Sequence, residues 1–289
     1  AHRPGRMHAL AAEARFLEAT FGELAAFLDR EALAARGIAG PEVHGGLVHP
    51  GGFGLHPMRY ARGLLAAARR HGARVHGHSP VTGWRAGGRG HLLETPAGTV
   101  EARRVIVATN GYTPEDLHAG LAGRLMPALS GILVTRPLTA EERAAQGWTA
   151  TDLVFDTRRL LHYVRLLPCG RFLFGGRGGL DASPRGLARR RRAMERRFRA
   201  FFPAWAHVDF THFWTGFVCL AADLVPHVSP LDRDGTAWCG LAYHGNGVAG
   251  ATWTGRLLGR LAAGAESPEA VPEVMRGPPP RFPLPGLRK

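Results

Sequence analysis

The chain has 289 residues, enough for one large domain or two ordinary ones with well-buried cores. At 45% hydrophobic and 21% charged it has the composition of a globular protein, and no run approaches the roughly eighteen apolar residues of a membrane span. The formal net charge of +14 invites a nucleic-acid reading, but of 37 basic residues only Lys289 is lysine, which fits a GC-rich genome better than selection for phosphate contacts.

The opening Ala1-His-Arg-Pro-Gly-Arg6 lacks a methionine start and a secretory cleavage pattern, so a cytoplasmic fragment of a longer protein is expected. Residues 7–36 mix Ala, Leu and Phe with Glu and Arg at helical period and predict one or two surface helices. Gly45 to Gly52 is turn-rich, with room for one short strand. Pro57 then opens a strong helix, Met58 to His71, and Gly72 ends it. Ala73-Arg-Val-His-Gly-His78 reads as a strand. His76 and His78 would share one face of it, a metal motif without a third ligand, so no metal is expected. Val81 to Trp84 and His91 to Thr95 read as strands, with Pro96-Ala-Gly98 as a tight turn between hairpin arms. Arg103 to Thr109 reads as a buried strand running into the loop Asn110-Gly111-Tyr112.

A helix, a strand, a β-meander and a second buried strand make up half of a nucleotide-binding α/β unit. The other half, a strand and a Gly-x-Gly-x-x-Gly turn, is not found. Gly51-Gly-Phe-Gly54 and Gly175-Gly-Arg-Gly-Gly179 are glycine-dense, but neither joins an apolar strand to a helix with an acidic residue about twenty positions on.

From 129 to 226 the character changes to an antiparallel sheet. Ile132 to Thr135, Leu160 to Leu167 and Arg171 to Phe174 are strand-like, the last two joined by the hairpin turn Pro168-Cys-Gly170. An Arg-rich helix follows over 185–199, with Leu187, Met194 and Phe198 at helical spacing, as in a solvated helix with one apolar face. Phe213 to Leu220 forms another strand. Cys169, Cys219 and Cys239 are odd in number and widely spaced, pointing to a reduced compartment rather than a disulfide framework.

The segment Gly240 to Thr252 is a short apolar strand, a glycine turn and a helix start. Glycines 245 and 247 let the backbone turn sharply and expose bare amides, while the helix end adds a partial positive charge. Such an end suits a phosphate or a ring that becomes anionic on reduction. The final helix stops near Gly264, and the Pro-rich residues 268–285 carry no packing signal.

Eight short motifs occur in a familiar order. They are Gly52-Phe-Gly-Leu-His-Pro57, Ile106-Val-Ala-Thr-Asn-Gly-Tyr112, Thr135-Arg-Pro-Leu138, Asp156-Thr-Arg-Arg159, Phe174-Gly-Gly-Arg177, Trp214-x-Gly216, Asp223-x-x-Pro226 and Tyr243-x-Gly-x-Gly-Val248. This pattern, over roughly residues 40–265, resembles the FAD-dependent D-amino-acid oxidase superfamily, and within it the bacterial gamma-glutamylputrescine oxidoreductase branch. The resemblance implies an α/β (α+β) fold: a split, Rossmann-like FAD-binding domain, here without its N-terminal part, holding an inserted antiparallel-sheet substrate domain. The expected divisions are a helical linker segment over 1–52 that partly joins the substrate domain, the middle of the FAD domain over 53–128 and the substrate domain over 129–226. The C-terminal part of the FAD domain follows over 227–265 and a Pro-rich tail over 266–289.

By the same resemblance, Gly245, Asn246, Gly247 and Val248 lie at the pyrimidine side of the flavin, Thr109, Asn110 and Gly111 pass beside the cofactor, and Val81 meets adenine through its backbone. Amides and a helix N-terminus at that side would stabilise the reduced flavin. The substrate is expected to be a small-molecule amine and the electron acceptor oxygen or a respiratory carrier. Tyr163 and Arg165 alternate on one face of a strand, and Arg165 is a candidate to hold a carboxylate, against the alternative of a merely solvated face. Tyr243 and His244 are further pocket candidates, His244 being the titratable one. A lysine that follows the glycine loop in the sarcosine-oxidase branch is replaced by Ala249, which favours a larger amine. The spacing from Cys219 to Asp223 does not fit covalent attachment, so FAD is expected to be non-covalent. Without the N-terminal strand, loop and helix, the chain by itself is expected to bind FAD poorly. Two other readings stay open here: a non-catalytic remnant of such an enzyme, and an Arg-driven nucleic-acid binder.

Overall fold

The computed structural model describes residues 1–87 and 90–283. The chain divides into two compact units, each made of two separate stretches: 1–55 with 129–216, and 56–128 with 217 onward. The joins fall at 55/56 and 216/217 rather than at 52/53 and 226/227, and residues beyond 265 belong to the second unit.

In the first unit, α1 (Met7–Phe21) ends on Gly22, whose φ of 67° favours a residue without a Cβ. Asp29 caps α2 (Arg30–Ala35) by accepting the Ala32 amide at 2.8 Å. Between the helices lies β1 (Ala26–Asp29), paired antiparallel with β2 (Gly45–Val48). The periodicity over 7–36 predicts helix alone. The strand at β1 forms because β2 offers it hydrogen bonds, information that lies outside the local window.

Unit one is built on a five-stranded sheet. Its strands are β7 (Met126–Pro137), β8 (Val154–Phe155), β9 (His162–Leu166), β10 (Arg171–Arg177) and β11 (Phe210–Leu220), in the order β11-β7-β10-β9-β8. The β9–β10 hairpin turns at 168–170, where Gly170 has a φ of 75°. Two helices complete the unit. Thr139 opens α4 (Ala140–Gln146) with a reciprocal capping box to Glu142. Ser183 opens α5 (Pro184–Phe201) by accepting the Gly186 amide.

Alternate side chains of β10, Phe172 and Phe174, are fully buried against Phe198, Phe202 and Trp205. Their rings meet edge-on, with centroids 4.8 Å apart for Phe172 and Trp205 and 5.7 Å for Phe174 and Phe198. Burying each such ring contributes about 1.5–3 kcal/mol. Most arginines of α5 are exposed, and Arg191 pairs with Glu195 there, whereas Arg190 turns in to donate to the Gly176 and Gly178 carbonyls.

The second unit holds α3 (Pro57–Arg70), a meander of β3 (Gly83–Gly87), β4 (Gly90–Thr95) and β5 (Gly98–Ala102), and a separate three-stranded sheet. That sheet has the order β12-β13-β6, from β6 (Val105–Val107), β12 (His227–Pro230) and β13 (Ala237–Leu241), with β13 parallel to β6 and antiparallel to β12. α6 (Gly247–Ala263) packs on β13 through Leu257, Leu258 and Leu261, and ends on Gly264 at φ 70°.

Three expectations are corrected in this unit. Residues 73–78 form no strand: all six are exposed and His78 has a φ of 53°, so His76 and His78 do not share a strand face. A strand exists only where a neighbour accepts its ladder, and none of the described strands does so here. β6 is three residues long rather than seven, and its central Ile106 is 39% exposed rather than buried. The Pro-rich stretch packs: Val271 is buried with Trp238 and Leu258, Arg124 donates to the Pro279 carbonyl at 2.5 Å, and Phe282 donates its amide to the Gly123 carbonyl at 3.0 Å. Residues 284–289 lie outside the described residues.

Candidate functional site

In parallel sheets, ligand sites form where the chain leaves the carboxyl ends of adjacent strands. In the second unit β6 and β13 are such neighbours. β6 runs into Thr109-Asn110-Gly111, and β13 runs through Ala242-Tyr243-His244 into Gly245-Asn246-Gly247 and α6. The two loops are joined: the Ala242 amide donates to Asn110 Oδ1 at 3.0 Å. Gly111 lies against Phe217, where a Cβ would come within 2.8 Å of the Phe217 Cβ, and Tyr112 stacks edge-on with the same ring at 5.4 Å.

Backbone strain collects at these loops. Among the described residues, five that are not glycine have positive φ. Asn110 (45°), Ala242 (65°) and His244 (53°) belong to the two loops, and Leu224 (60°) belongs to the adjoining turn 221–225. The His244 imidazole meets that turn, with its Nε2 3.4 Å from the Val225 carbonyl and 3.5 Å from the Ala221 amide. Each such conformation costs on the order of 1 kcal/mol and persists where the surroundings over-determine it, which is characteristic of ligand sites. Gly245 follows at φ 95°, a value that favours glycine.

The start of α6 is open. Asn246 makes no side-chain cap, and Gly245, Asn246, Val248 and Ala249 are exposed. The first amides of the helix therefore face outward without a side-chain acceptor and carry the positive end of the helix dipole. Gly240 fixes the helix behind them, because a Cβ there would lie 2.5 Å from Thr254 Cγ2 and 2.7 Å from Leu258 Cδ1.

The sequence-derived candidates fall into separate groups. Thr109, Asn110 and Gly111 are brought together with the 242–248 loop. Val81 precedes β3 and, among the described residues, has no hydrogen bond to either loop; its neighbour Thr82 donates its amide to Glu94. Tyr243 is buried, with its ring against Gly247 and Gly250, and burial pushes its phenol pKa up. It packs under the loop. Cys219 is 1% exposed and burial raises its thiol to about 11, which leaves it a poor nucleophile.

Tyr163 and Arg165 belong to the first unit, on the face of β9 opposite Val164 and Leu166. The Tyr163 ring lies flat over Gly175, where a Cβ would be 2.0 Å from it, and its hydroxyl meets Ser130 at 3.0 Å. Burial raises its phenol pKa. Arg165 is half-buried. Its Nε is shielded from solvent without a hydrogen-bond partner, and among the described residues no carboxylate pairs with it. Sequence reasoning missed the 221–225 turn as a wall of the glycine loop; the Asp223-x-x-Pro226 motif was its only signal. Among the described residues no cluster of His, Cys, Asp and Glu could hold a metal, and no helix is long and apolar enough to cross a membrane.

Residues 1–261 match the family model described as FAD dependent oxidoreductase (DAO), and the chain belongs to that family. It is 31% identical over 239 residues to the probable oxidoreductase OrdL of Rhizobium meliloti, covering 82% of this chain and 54% of the relative. It is also 31% identical over 266 residues to the gamma-glutamylputrescine oxidoreductase of Escherichia coli, covering 90% of this chain and 59% of that one. The chain thus spans little more than half the length of these curated relatives. In structure it resembles glycine oxidase from Geobacillus kaustophilus, with a TM-score of 0.76 at 20% identity over 92% of this chain and 70% of that one. The L-proline dehydrogenase of P. horikoshii follows at a TM-score of 0.74 and 15% identity, covering 92% and 71% of the two chains. The fold is therefore the family's FAD-binding fold with its antiparallel-sheet domain.

Proposed function

We propose that the protein carrying this chain oxidises the C–N bond of an amine, with gamma-glutamylputrescine-like amines as the substrate class. The observation that carries this reading is the pair of loops at the carboxyl ends of β6 and β13, locked by Asn110 and Ala242 beside an uncapped helix start. Bound FAD would supply a two-electron acceptor for the hydrogen on the carbon next to nitrogen, and the imine left behind hydrolyses in water. The amides of Gly245, Gly247 and Val248, with Asn246 between them, and the α6 dipole would hold the pyrimidine edge of the flavin and favour negative charge there. Thr109, Asn110 and Gly111 would border the cofactor and Val81 the adenine. The low reactivity of the Cys219 thiol supports non-covalent attachment. Arg165, a half-buried cation without a carboxylate partner, would receive a substrate carboxylate, with Tyr163 beside it on the same face. His244 is held by the 221–225 turn and would keep the glycine loop in place. The acceptor that reoxidises the flavin is oxygen or a respiratory carrier, and the cellular site is the cytoplasm.

The test uses a protein of the relatives' full length that contains this chain. Anaerobic addition of gamma-glutamylputrescine should bleach the bound flavin, and Arg165→Ala should raise the concentration required. Failure of a broad panel of amines to reduce the flavin refutes the reading. The 289-residue chain alone should bind FAD weakly, and a stoichiometric flavin spectrum after gel filtration would contradict that expectation.

A further inference from the structure

Gly54 is a glycine that its own backbone does not need. Its φ lies outside the positive region. What occupies the space of its missing side chain is Arg165: a Cβ at Gly54 would sit 2.4 Å from Nη2, 2.5 Å from Cζ and 2.7 Å from Nη1. Two neighbouring glycines in the same loop, Gly51 and Gly52, have nothing within 4 Å of their Cβ positions. Of these three glycines, only Gly54 lies against the guanidinium.

Some half-buried arginines of this unit have anionic partners, Arg158 with Asp156 and Glu42, Arg136 with Glu142 and Arg197 with Glu42, and Arg190 donates to the Gly176 and Gly178 carbonyls. Arg165 has no anionic partner among the described residues, and its Nε is both buried and unsatisfied. A cation partly withdrawn from water without a counter-charge is costly to keep, and an incoming carboxylate would offset that cost.

Resting on the reading of Arg165 as a carboxylate anchor, we propose that Gly54 is its positioning residue. The missing side chain at Gly54 lets the loop lie flat on the guanidinium and fixes it in the orientation that receives the carboxylate. Because the guanidinium ends a flexible stem, a methyl group at Gly54 would displace it rather than unfold the unit.

The experiment uses the 289-residue chain and follows the arginine Nε–H signals by NMR, with Arg165 assigned by its loss in Arg165→Lys. Butyrate is the carboxylate probe and butylamine the control. Butyrate should shift the Arg165 signal saturably and butylamine should not. Gly54→Ala should keep the folded spectrum yet raise the butyrate midpoint by about tenfold, the effect of misplacing one charge-assisted contact. Gly52→Ala should leave it unchanged. In an Arg165→Ala background, adding Gly54→Ala should not alter the melting temperature, since the clash has gone. An unchanged butyrate midpoint in Gly54→Ala overturns the positioning role while leaving the anchor intact. If butyrate does not move the Arg165 signal in the parent chain, the anchor reading fails. If Gly54→Ala loses stability even without the arginine, the glycine serves the loop itself and the inference is wrong.

Discussion

Replacing Asn110 tests whether the two loops act as one structure. In Asn110→Ala, the Ala242 amide, on a residue with 0% exposure, loses the Asn110 Oδ1 acceptor at 3.0 Å. An orphaned buried amide costs about 1–3 kcal/mol. Alanine must also take up the φ of 45°, which costs about 1 kcal/mol or somewhat more, whereas asparagine tolerates it. The sum is about 3 kcal/mol, equivalent to roughly a hundredfold faster opening. Asn110→Gly removes the hydrogen bond but relieves the φ cost, and should lose about 2 kcal/mol. Asn110→Asp keeps an acceptor oxygen and should stay near the parent. The assay is hydrogen exchange at the Ala242 amide under native conditions, which reads local opening without assuming that both units unfold together. The order should be Ala, then Gly, then Asp. Equal exchange in the alanine and aspartate variants would refute the link.

Burial opposes ionisation of Asp156, but hydrogen bonds from His162 and Arg158 outweigh it and bring its pKa from 3.8 to about 2. A depressed carboxylate contributes fully above about pH 4 and loses that contribution as the pH falls through 2, about 2 kcal/mol in all. Asp156→Asn should lower stability near neutrality by that amount and flatten the acid limb, and a parental acid limb would count against it. Gly240→Ala should cost about 1–3 kcal/mol by pushing α6 off β13, seen as a lower melting temperature and faster exchange over 247–250. Phe172→Ala should cost about 3–5 kcal/mol in urea unfolding, and a loss under about 1 kcal/mol would show that the aromatic cluster collapses around the gap.

What the sequence reveals of this molecule divides by physical range. Helix ends were legible where their signals are local: Pro57 at a start and Gly264 at a stop act within one turn. The β9–β10 hairpin was legible for the same reason. Strands that depend on a distant neighbour were not. Residues 73–78 have strand composition and no ladder, whereas Ala26 to Asp29 have weak composition and a partner. Val271 is one apolar residue among prolines, without a period to mark it, and only the packed surface around Trp238 explains its burial. The glycine loop was readable as a ligand loop from Gly245 and Gly247. Its bond to Asn110, its strain and the turn behind His244 arise from tertiary contact. Arg165 was found by alternation alone, but its lack of a counter-charge needed the whole surroundings.

The discontinuity of both units bears on the order in which the chain can mature. Asn110 and Ala242 are separated by 132 residues, and β6 waits for β13 across that whole interval. Closing so long a loop is slow, and during synthesis the apolar β6 leaves the ribosome well before its parallel partner exists. Until then Ile106 and the edges of β6 are open to wrong pairings. The glycine loop therefore cannot be completed before β13 has been made. A ligand that engages it would bind finished molecules only and draw the folding equilibrium toward them by mass action.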